Sequence, residues 1–571
     1  MKRSIVCLFG ILALGACSEN GVPDTKGPDE SKTGGRFLTV GIADAGTTRA
    51  GADSYEAGSG NESRIGSLRF YFFDSKGSPV SVNLAGRKNY VDCTDIVPET
   101  GSSMPNVEKT FRTTVMVNPG FSQVGALAAI ANYEAAGLGT ESLSLAELCA
   151  KVGDYVAATA DGTGSDSTPG FVMTGSSYAG ADGPVCTAAV LPENLCDTEA
   201  EAAARPVTVY LERVVAKARL TTAWNTDKVS VVNGVTFNGK THTAVALKDA
   251  EGKSLTVGGK QVYALFTGWS ITGRADKSYL FKKINTETAW QLGWTWNNPV
   301  FFRSYWAANP AGVSLGHIAY NEIDSAIDGN STVYCAENAA DNFADGTKKR
   351  YDPDSEVGNR TQAIVAAVLV TVDGSSASPV DLARWAGADY TQEGVKTAML
   401  NTVASLIYTK KDTGFVSIGP KHVKLVTATQ AGMADDKSEN SPRYLCYLQL
   451  TDAARALPFY SAASDQAAIT PDAVDNILRE MPGARVWKSG TTYYYTDIRH
   501  SGLDEQRGLC GVVRNHVYEI SINSVAGLGT PVWDPDEKIV PQKPDDSQTH
   551  IAATIGILSW RTVNNDVDLV W

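Results

Sequence analysis

The stretch 551–560 reads IAATIGILSW and places Ile551, Ala553, Ile555 and Ile557 at alternate positions. Alternation of this kind puts the four apolar side chains on one face of a β-strand. The preceding stretch 530–549, TPVWDPDEKIVPQKPDDSQT, contains four Pro and five acidic residues, which predicts an extended linker. A strand behind such a linker either packs on its own domain, with the linker as a long crossover, or fills a groove on another molecule.

The chain ends in a second alternating segment, 563–571. Together the two segments form a candidate donor strand, by which we mean a strand given to the sheet of another molecule. Its candidate residues are Ile551, Ala553, Ile555, Ile557, Trp560, Val567 and Leu569.

A matching feature lies near the N-terminus, where 37–43 (FLTVGIA) is predicted to be a strand with Leu38, Val40 and Ile42 on one face. A loop of small residues follows and contains Arg49. Proteolysis after Arg49 would detach this strand and leave an apolar groove with unpaired backbone groups. A neighbour's C-terminal strand filling that groove is a head-to-tail contact, which does not close and therefore builds a filament.

The first residues are typical of an export signal. Lys2 and Arg3 precede a 12-residue apolar run, 5–16, which is shorter than the ~20 residues that a spanning helix needs. The run ends in LGAC, so that Cys17 resembles the lipidated Cys of a bacterial lipoprotein. A core helix is the alternative, and residues 18–35 are predicted to be a flexible tether.

Composition limits the possible functions of the 571-residue chain. With 63 acidic and 50 basic residues the net charge is −13, which argues against nucleic-acid binding. The 43% hydrophobic residues predict a folded chain. Its length suits two large β domains as well as four small ones.

The interior predicts mostly strands. The run 363–372 (AIVAAVLVTV) suits a strand buried on both faces, and 516–523 alternates as a half-buried strand does. Helices are predicted at 141–152, 391–410 and 472–481.

Several segments resemble a known family. Residues 209–220 (VYLERVVAKARL), Trp269 with 278–283 (SYLFKK), and 512–518 (VVRNHVY) resemble segments of Bacteroidales type V pilins, most closely the major subunit of short, Mfa-type fimbriae. The lipoprotein-like Cys17, the Arg49 loop, the linker and the apolar C-terminal strand fit the same pattern. This chain departs from it in a shorter linker, in Ser559 where a Pro is usual, and in two extra C-terminal residues.

The resemblance implies an all-β fold of two transthyretin-like β-sandwich domains with a few short helices and a C-terminal donor-strand arm. An outer-membrane lipoprotein precursor would be cut between Arg49 and Ala50 by an Arg-specific protease. The 522-residue subunit would polymerise with itself and with accessory subunits, bind host or bacterial surface ligands, and support adhesion and biofilms. The implied segments are a signal peptide (1–17), a removed propeptide (18–49), an N-terminal domain (50–214), a C-terminal domain (215–529) and the arm (530–571).

No motif predicts catalysis, a cofactor or a metal. The six His show no metal-ligand spacing, and His500 and Ser501 with Asp504 lie too close in sequence for a typical triad. Two acidic clusters could bind Ca²⁺, but solvated loops are favoured because both lack the pattern of a calcium loop. The clusters are Asp352, Asp354 and Glu356, and Asp534, Asp536 and Glu537.

The alternative function is a surface-anchored lipoprotein that binds glycans through exposed aromatic residues, although a packed aromatic layer is favoured. The aromatic group is Trp290, Trp294, Trp296, Phe301, Phe302, Tyr305 and Trp306. Outside the signal and Cys17, seven scattered Cys fit neither a disulfide framework nor a zinc site, with Cys186–Cys196 a possible single bridge.

Overall fold

The structure is a computed structural model. It describes residues 36–45, 58, 61–83, 86–93, 96–98, 107–118, 123–157, 170–180, 183–249, 252–284, 307–339, 360–433, 445–498, 511–541 and 550–559. We call 36–214 the N-terminal region and 215–559 the C-terminal region; the division into two domains remains a prediction.

The chain is mostly β-structure, which confirms the predicted fold class. The N-terminal region contains β1 Arg36–Ala45, β2 Leu68–Phe73, β3 Tyr90–Cys93, β4 Val97–Pro98, β5 Val107–Val117, β6 Ala126–Ala131, α1 Leu145–Cys149, β7 Val152–Gly153, β8 Met173–Gly175, β9 Tyr178–Gly180, β10 Gly183–Val185, β11 Ala188–Ala189, α2 Glu199–Ala204 and β12 Val207–Arg213.

The C-terminal region contains the remaining elements. They are β13 Val215–Thr222, β14 Val231–Phe237, β15 Lys240–Ala246, β16 Thr256–Val257, β17 Lys260–Gln261, β18 Tyr263–Thr272, β19 Arg274–Ala275, β20 Ser278–Tyr279, β21 Leu315–Gly316, β22 Thr332–Ala336, β23 Asn338–Ala339, β24 Gln362–Asp373, β25 Ser376–Pro379, β26 Leu382–Trp385, β27 Ala388–Thr391, α3 Gln392–Thr402, β28 Tyr408–Lys411, β29 Gly414–Ser417, β30 Val423–Thr427, β31 Leu445–Leu450, β32 Phe459–Tyr460, β33 Ala468–Ile469, α4 Pro471–Arg479, β34 Ala484–Trp487, β35 Thr491–Asp497, β36 Gly511–Val512, β37 His516–Ala526, β38 Thr530–Pro531 and β39 His550–Ser559.

The main N-terminal sheet has the order β3-β2-β6-β8-β12-β1-β5-β4, with β11 paired to β6. All six residues of β2 are buried, as the β-prone sequence LRFYFF predicts. Strand β1, the first strand among the described residues, lies between β12 and β5 and not at an edge of the sheet.

The C-terminal region is built around two sheets, β18-β15-β14-β25-β24-β35-β38 and β22-β13-β37-β39. Strand β24 contains the predicted buried run, and most of its residues are buried. The first strands of the two regions hold equivalent positions. Strand β1 is parallel to β12 and antiparallel to β5, while β13 is parallel to β37 and antiparallel to β22.

An inserted lobe, residues 382–487, lies in sequence between β25 and β35. It has its own apolar core and its own sheets, β27-β26-β34-β31-β30 and β29-β28-β32-β33. Helix α4 confirms the helix predicted at 472–481 and is capped by Thr470. Helix α1 is much shorter than the predicted 141–152 and begins at a Ser144–Glu147 capping box.

The helix predicted at 391–410 is wrong in its second half. It starts as expected, with the Thr391 side chain accepting from the Gly394 N–H, but ends at Thr402. Val403 leaves helical geometry, and Leu406 is 47% exposed. The residues beyond pair instead as β28 with β29 and β32, because the β-ladder supplies hydrogen bonds that the helix would otherwise provide.

The predicted linker is also corrected, because its first part is packed. Strand β38 pairs with β35, and Val532 and Ile539 are buried. The Ile539 N–H donates to the Ile318 carbonyl at 2.8 Å. Apolar residues between the prolines thus fix 530–541 to the body, and only 542–549 separates this anchor from β39. Among the described residues, no helix has the length and apolar character needed to cross a membrane.

Candidate assembly site

Strand β1 is held by two backbone ladders. Its antiparallel ladder with β5 has nine paired positions, from Arg36–Val117 to Ala45–Val107. Its parallel ladder with β12 has five, from Val40–Val207 to Asp44–Leu211. Removing β1 would therefore leave backbone donors and acceptors on both neighbouring strands without partners, which is costly unless another strand replaces it.

The side chains of β1 fill the sheet's apolar core. Leu38 and Val40 are fully buried, as their alternation predicted, and each contributes about 2 kcal/mol through the apolar area that it removes from water. Between them, Thr39 places its hydroxyl 2.8 Å from that of Thr114. The backbone of Ile42 continues both ladders opposite Phe111 and Val209. Leu38 and Val40 are thus the side chains of β1 that fill the apolar core between its neighbouring strands.

The start of β1 has further contacts. Phe37 exchanges two backbone hydrogen bonds with Cys196, at 2.8 and 2.9 Å. The Arg36 guanidinium donates to the Leu195 carbonyl at 3.2 Å and lies 3.5 Å from the Asp197 carboxylate. Cutting the chain behind β1 would not by itself break these contacts, so release of β1 needs a replacement strand or mechanical displacement.

Strand β39, the core of the predicted donor segment, lies in this structure on its own chain. It pairs antiparallel with β37 at ten positions, from His516–Ser559 to Ala526–His550. Among the described residues, β37 is its single ladder partner, so β39 is an edge strand. This arrangement corresponds to the crossover alternative for the isolated chain, and the donor assignment to another subunit stays a prediction.

Strands β1 and β39 have the same length and a similar sequence pattern. Each has ten residues, and each alternates apolar and smaller or polar residues. An edge strand with one ladder would gain a second by moving into the groove between β5 and β12.

Strand β12 continues almost directly into β13, and a buried polar junction lies at this transition. Glu212 forms an ion pair with Lys282 at 3.2 Å, and both side chains are fully buried. Arg213 donates to the Glu62 carbonyl at 2.7 Å, and its backbone N–H donates to the Asn515 side chain at 3.3 Å. The end of the groove is therefore tied to the C-terminal region.

Two further groups complete the junction. Lys217 lies 3.0 Å from the Glu62 carboxylate, which also accepts from the Tyr334 hydroxyl at 2.6 Å. Arg514 is fully buried, pairs with Glu337, and donates to the Leu280 carbonyl at 2.8 Å. Buried charges of this kind are stable only when paired, so losing one partner is strongly destabilising.

Burial also shifts proton affinity in the junction. Desolvation lowers the pKa of Lys282, partly opposed by the nearby carboxylates of Glu212 and Glu337. Burial raises the pKa of the Tyr334 hydroxyl, and its hydrogen bond to the Glu62 carboxylate adds to this. These shifts follow from dry, paired packing.

Sequence reasoning missed the junction as a site, although Glu212, Arg213, Lys217, Lys282, Arg514 and Asn515 lie in the segments that carried the family resemblance. The available signal was the presence of charges at buried positions of apolar strands, as in LERVVAK around Glu212, Arg213 and Lys217. Their partners could not be assigned because Arg213 and Asn515 are 302 positions apart.

Many predicted sites lie outside the described residues. These are Cys17, Arg49, Ala50, Trp560, Val567, Leu569, the aromatic group 290–306, the His500–Asp504 segment and the acidic cluster 352–356. For β39, the structure describes the backbone at Ile551, Ala553, Ile555 and Ile557.

In the second acidic cluster, Asp534 and Asp536 accept hydrogen bonds from neighbouring groups of the protein. The Asp534 carboxylate accepts from the Asp536 N–H at 3.0 Å, and Asp536 accepts from the Asn321 side chain. Within the described part of the chain, no group of three or more His, Cys, Asp or Glu is arranged to hold a metal ion.

Comparison with known protein families finds a match over the C-terminal strands. A family described as "Major fimbrial subunit protein type IV, Fimbrillin, C-terminal" has a model that matches this chain from β34 to beyond β39. Residues 485–566 match the fimbrillin family. The match confirms, over these residues, the resemblance to fimbrial subunits predicted from the sequence. No curated protein matches the sequence.

Solved fimbrial structures are also similar in part. A fimbrilin from Porphyromonas gingivalis has 15% identity and a TM-score of 0.37, covering 93% of this chain and 98% of that one. The tip fimbrial protein Mfa3 from the same organism, with a C-terminal truncation, has 11% identity and a TM-score of 0.31, covering 92% and 100%. A fimbrial assembly protein from Parabacteroides distasonis has 12% identity and a TM-score of 0.26, covering 60% and 84%.

Proposed function

We propose that this protein is a structural subunit of cell-surface fimbriae that polymerises by strand exchange. An Arg-specific protease cuts between Arg49 and Ala50, β1 leaves the groove between β5 and β12, and the C-terminal strand of a neighbour takes its place. The observation that carries the proposal is the position of β1, an N-terminal strand inserted between two others with Leu38 and Val40 fully buried. The fimbrillin match over 485–566 supports the same function.

The direction of exchange follows from the number of ladders. Among the described residues of its own chain, β39 pairs with β37 alone, whereas in the groove it would pair with two strands. Once β39 leaves β37, the arm from 542 to 571 has 30 residues and spans up to about 100 Å when extended. That reach is sufficient to enter a neighbouring subunit while 530–541 stays anchored.

We infer that the precursor is an outer-membrane lipoprotein attached through Cys17. The domains would be 50–214 and 215–529, as the resemblance implies. Cleavage would remove 49 residues and leave a subunit with 44 basic and 58 acidic residues, a net charge of −14. Repeated along a filament, this charge keeps polymers soluble. The filament would bind accessory subunits and surface ligands, and would support adhesion and biofilm formation without catalysing a reaction.

N-terminal sequencing of protein extracted from the cell surface tests the proposal. The polymer should begin Ala50-Gly51-Ala52, and Arg49→Lys should leave an uncut, monomeric precursor. Arg87→Lys is the matched control, because Arg87 is exposed and lies outside the proposed cleavage loop. Polymers that begin at Cys17, or that form normally from Arg49→Lys, would contradict the mechanism.

A further inference from the structure

Two cysteine thiols meet in the N-terminal region. The Sγ atoms of Cys149 and Cys186 lie 3.4 Å apart, and both residues are partly buried. Cys149 is the last residue of α1, and Cys186 directly follows β10. The sequence had suggested Cys196 as the partner of Cys186, but Cys196 lies instead against β1.

We propose that Cys149 and Cys186 form a disulfide in the exported protein, which rests on the export step of the proposed function. A disulfide has sulfurs about 2.05 Å apart, so the two Sγ atoms, now 3.4 Å apart, have to approach by about 1.4 Å. Exported proteins occupy compartments where such bonds form and persist.

The pKa of Cys149 is shifted in the opposite direction from the pKa of Cys186, Cys335 and Cys446. The hydrogen bond from the Cys186 thiol lowers the pKa of Cys149, and the same hydrogen bond together with burial raises that of Cys186. Burial raises the pKa of Cys335 and of Cys446 to about 12. Because the thiolate is the nucleophile, Cys149 is the group expected to react first.

The oxidant is an oxidised thiol–disulfide oxidoreductase of the cell envelope. The Cys149 thiolate attacks one sulfur of its disulfide, forming a mixed disulfide and releasing the other sulfur as a thiolate that takes up a proton. Cys186 then loses its proton and attacks the Cys149 sulfur, which releases the second thiol of the oxidoreductase. Two electrons and two protons pass from the cysteine pair to the oxidoreductase.

The bond would brace the sheet next to the assembly groove. The Cys186 carbonyl packs closely against Gly175 of β8, where an added Cβ would lie 2.9 Å from it, and Gly175 pairs with Leu211 of β12. Close to the other cysteine, the backbone carbonyl of Lys151, two residues after Cys149, accepts a hydrogen bond from the Leu280 N–H at 2.8 Å. The disulfide would thus connect two segments while β1 is absent. One segment packs against β8, the neighbour of β12, and the other is hydrogen-bonded to Leu280 of the C-terminal region.

The test uses the full chain carrying Arg49→Lys, purified from the cell envelope without reductant. After alkylation and digestion with trypsin and Glu-C, which cuts at Glu193 between Cys186 and Cys196, mass spectrometry should find Cys149 and Cys186 in one cross-linked pair. Reduction should lower the Tm by about 5–10 °C, as expected for opening the loop that joins Cys149 to Cys186, which are 37 positions apart. Cys186→Ser should abolish that difference, and Cys196→Ser should preserve it.

Alkylation of both Cys149 and Cys186 in the unreduced protein would overturn the proposal, as would a Cys186–Cys196 cross-link. Because the Arg49→Lys chain is uncut, the result does not depend on polymerisation. Failure of the disulfide is therefore distinguishable from failure of strand exchange.

Discussion

Strands β1 and β39 have ten residues each and stand near opposite ends of the chain, but they are held differently. Strand β1 lies inside a sheet with partners on both sides, whereas β39 is described with one partner at a sheet edge. A strand with two ladders does not leave readily, while one with a single ladder exchanges at lower cost. In the proposed mechanism, β1 therefore has to be cut from the chain before it can leave, whereas β39 can move without a cut.

The comparison fails if the two strands contribute equally to stability, so the largest effect should come from deleting the C-terminal segment with and without β1. A chain of residues 50–549, lacking both, should lose the cooperative unfolding of its N-terminal region, because two ladders and the Leu38 and Val40 core are gone. Residues 1–549, lacking only the C-terminal segment, should keep it and show a Tm within a few degrees of the intact chain. Urea and thermal unfolding followed by circular dichroism provide the measurement, and similar losses in both chains would refute the asymmetry.

Locking either strand in place should stop assembly. Thr39→Cys/Thr114→Cys joins β1 to β5 where the hydroxyls are 2.8 Å apart, and Ser521→Cys/Thr554→Cys joins β39 to β37 at a paired position. Each oxidised double variant should polymerise at least tenfold less than its reduced form, measured by sedimentation. The Thr39→Cys single variant is the control and should respond little to oxidation. Normal polymers from an oxidised double variant would show that the locked strand need not move.

The junction at the end of β12 tests whether the acceptor side is rigidly held. Glu212→Gln should lower the free energy of unfolding by about 3–5 kcal/mol, because it leaves the Lys282 ammonium buried without its paired charge. Denaturant unfolding gives the value. Glu212→Gln/Lys282→Met should lose less than the sum of the single variants, and strict additivity would contradict direct coupling.

The smallest expected effect is the difference in stability cost between truncating a buried side chain of β1 and truncating an exposed side chain of the neighbouring strand β5. Leu38→Ala should cost about 3 kcal/mol, because it opens a cavity under a fully buried side chain. Met116→Ala on β5, whose side chain is 57% exposed and which pairs with Phe37, should change stability by less than about 0.5 kcal/mol. Equal costs would mean that Leu38 does not fill the groove.

How much the sequence predicts depends on the range of the interactions. Alternation placed Leu38 and Val40 on a buried face, and the apolar run at 363–372 identified β24, since periodicity is a local property. Local pattern could not show that Val532 and Ile539 fix the linker, because Pro and Asp dominate its composition. The partners of Arg213 and Cys149 are set by tertiary packing, which a local pattern does not encode.

Hydrogen exchange at β5 and β12 tests the central claim most directly. In the intact precursor, their backbone amides facing β1 should be protected. In a chain of residues 50–549 they should exchange rapidly, and adding a synthetic peptide of residues 550–571 should restore protection on both strands. Protection that returns on β5 and β12 supports replacement of β1 by the C-terminal strand. Amides that stay unprotected with saturating peptide, or that were protected without it, would contradict the account.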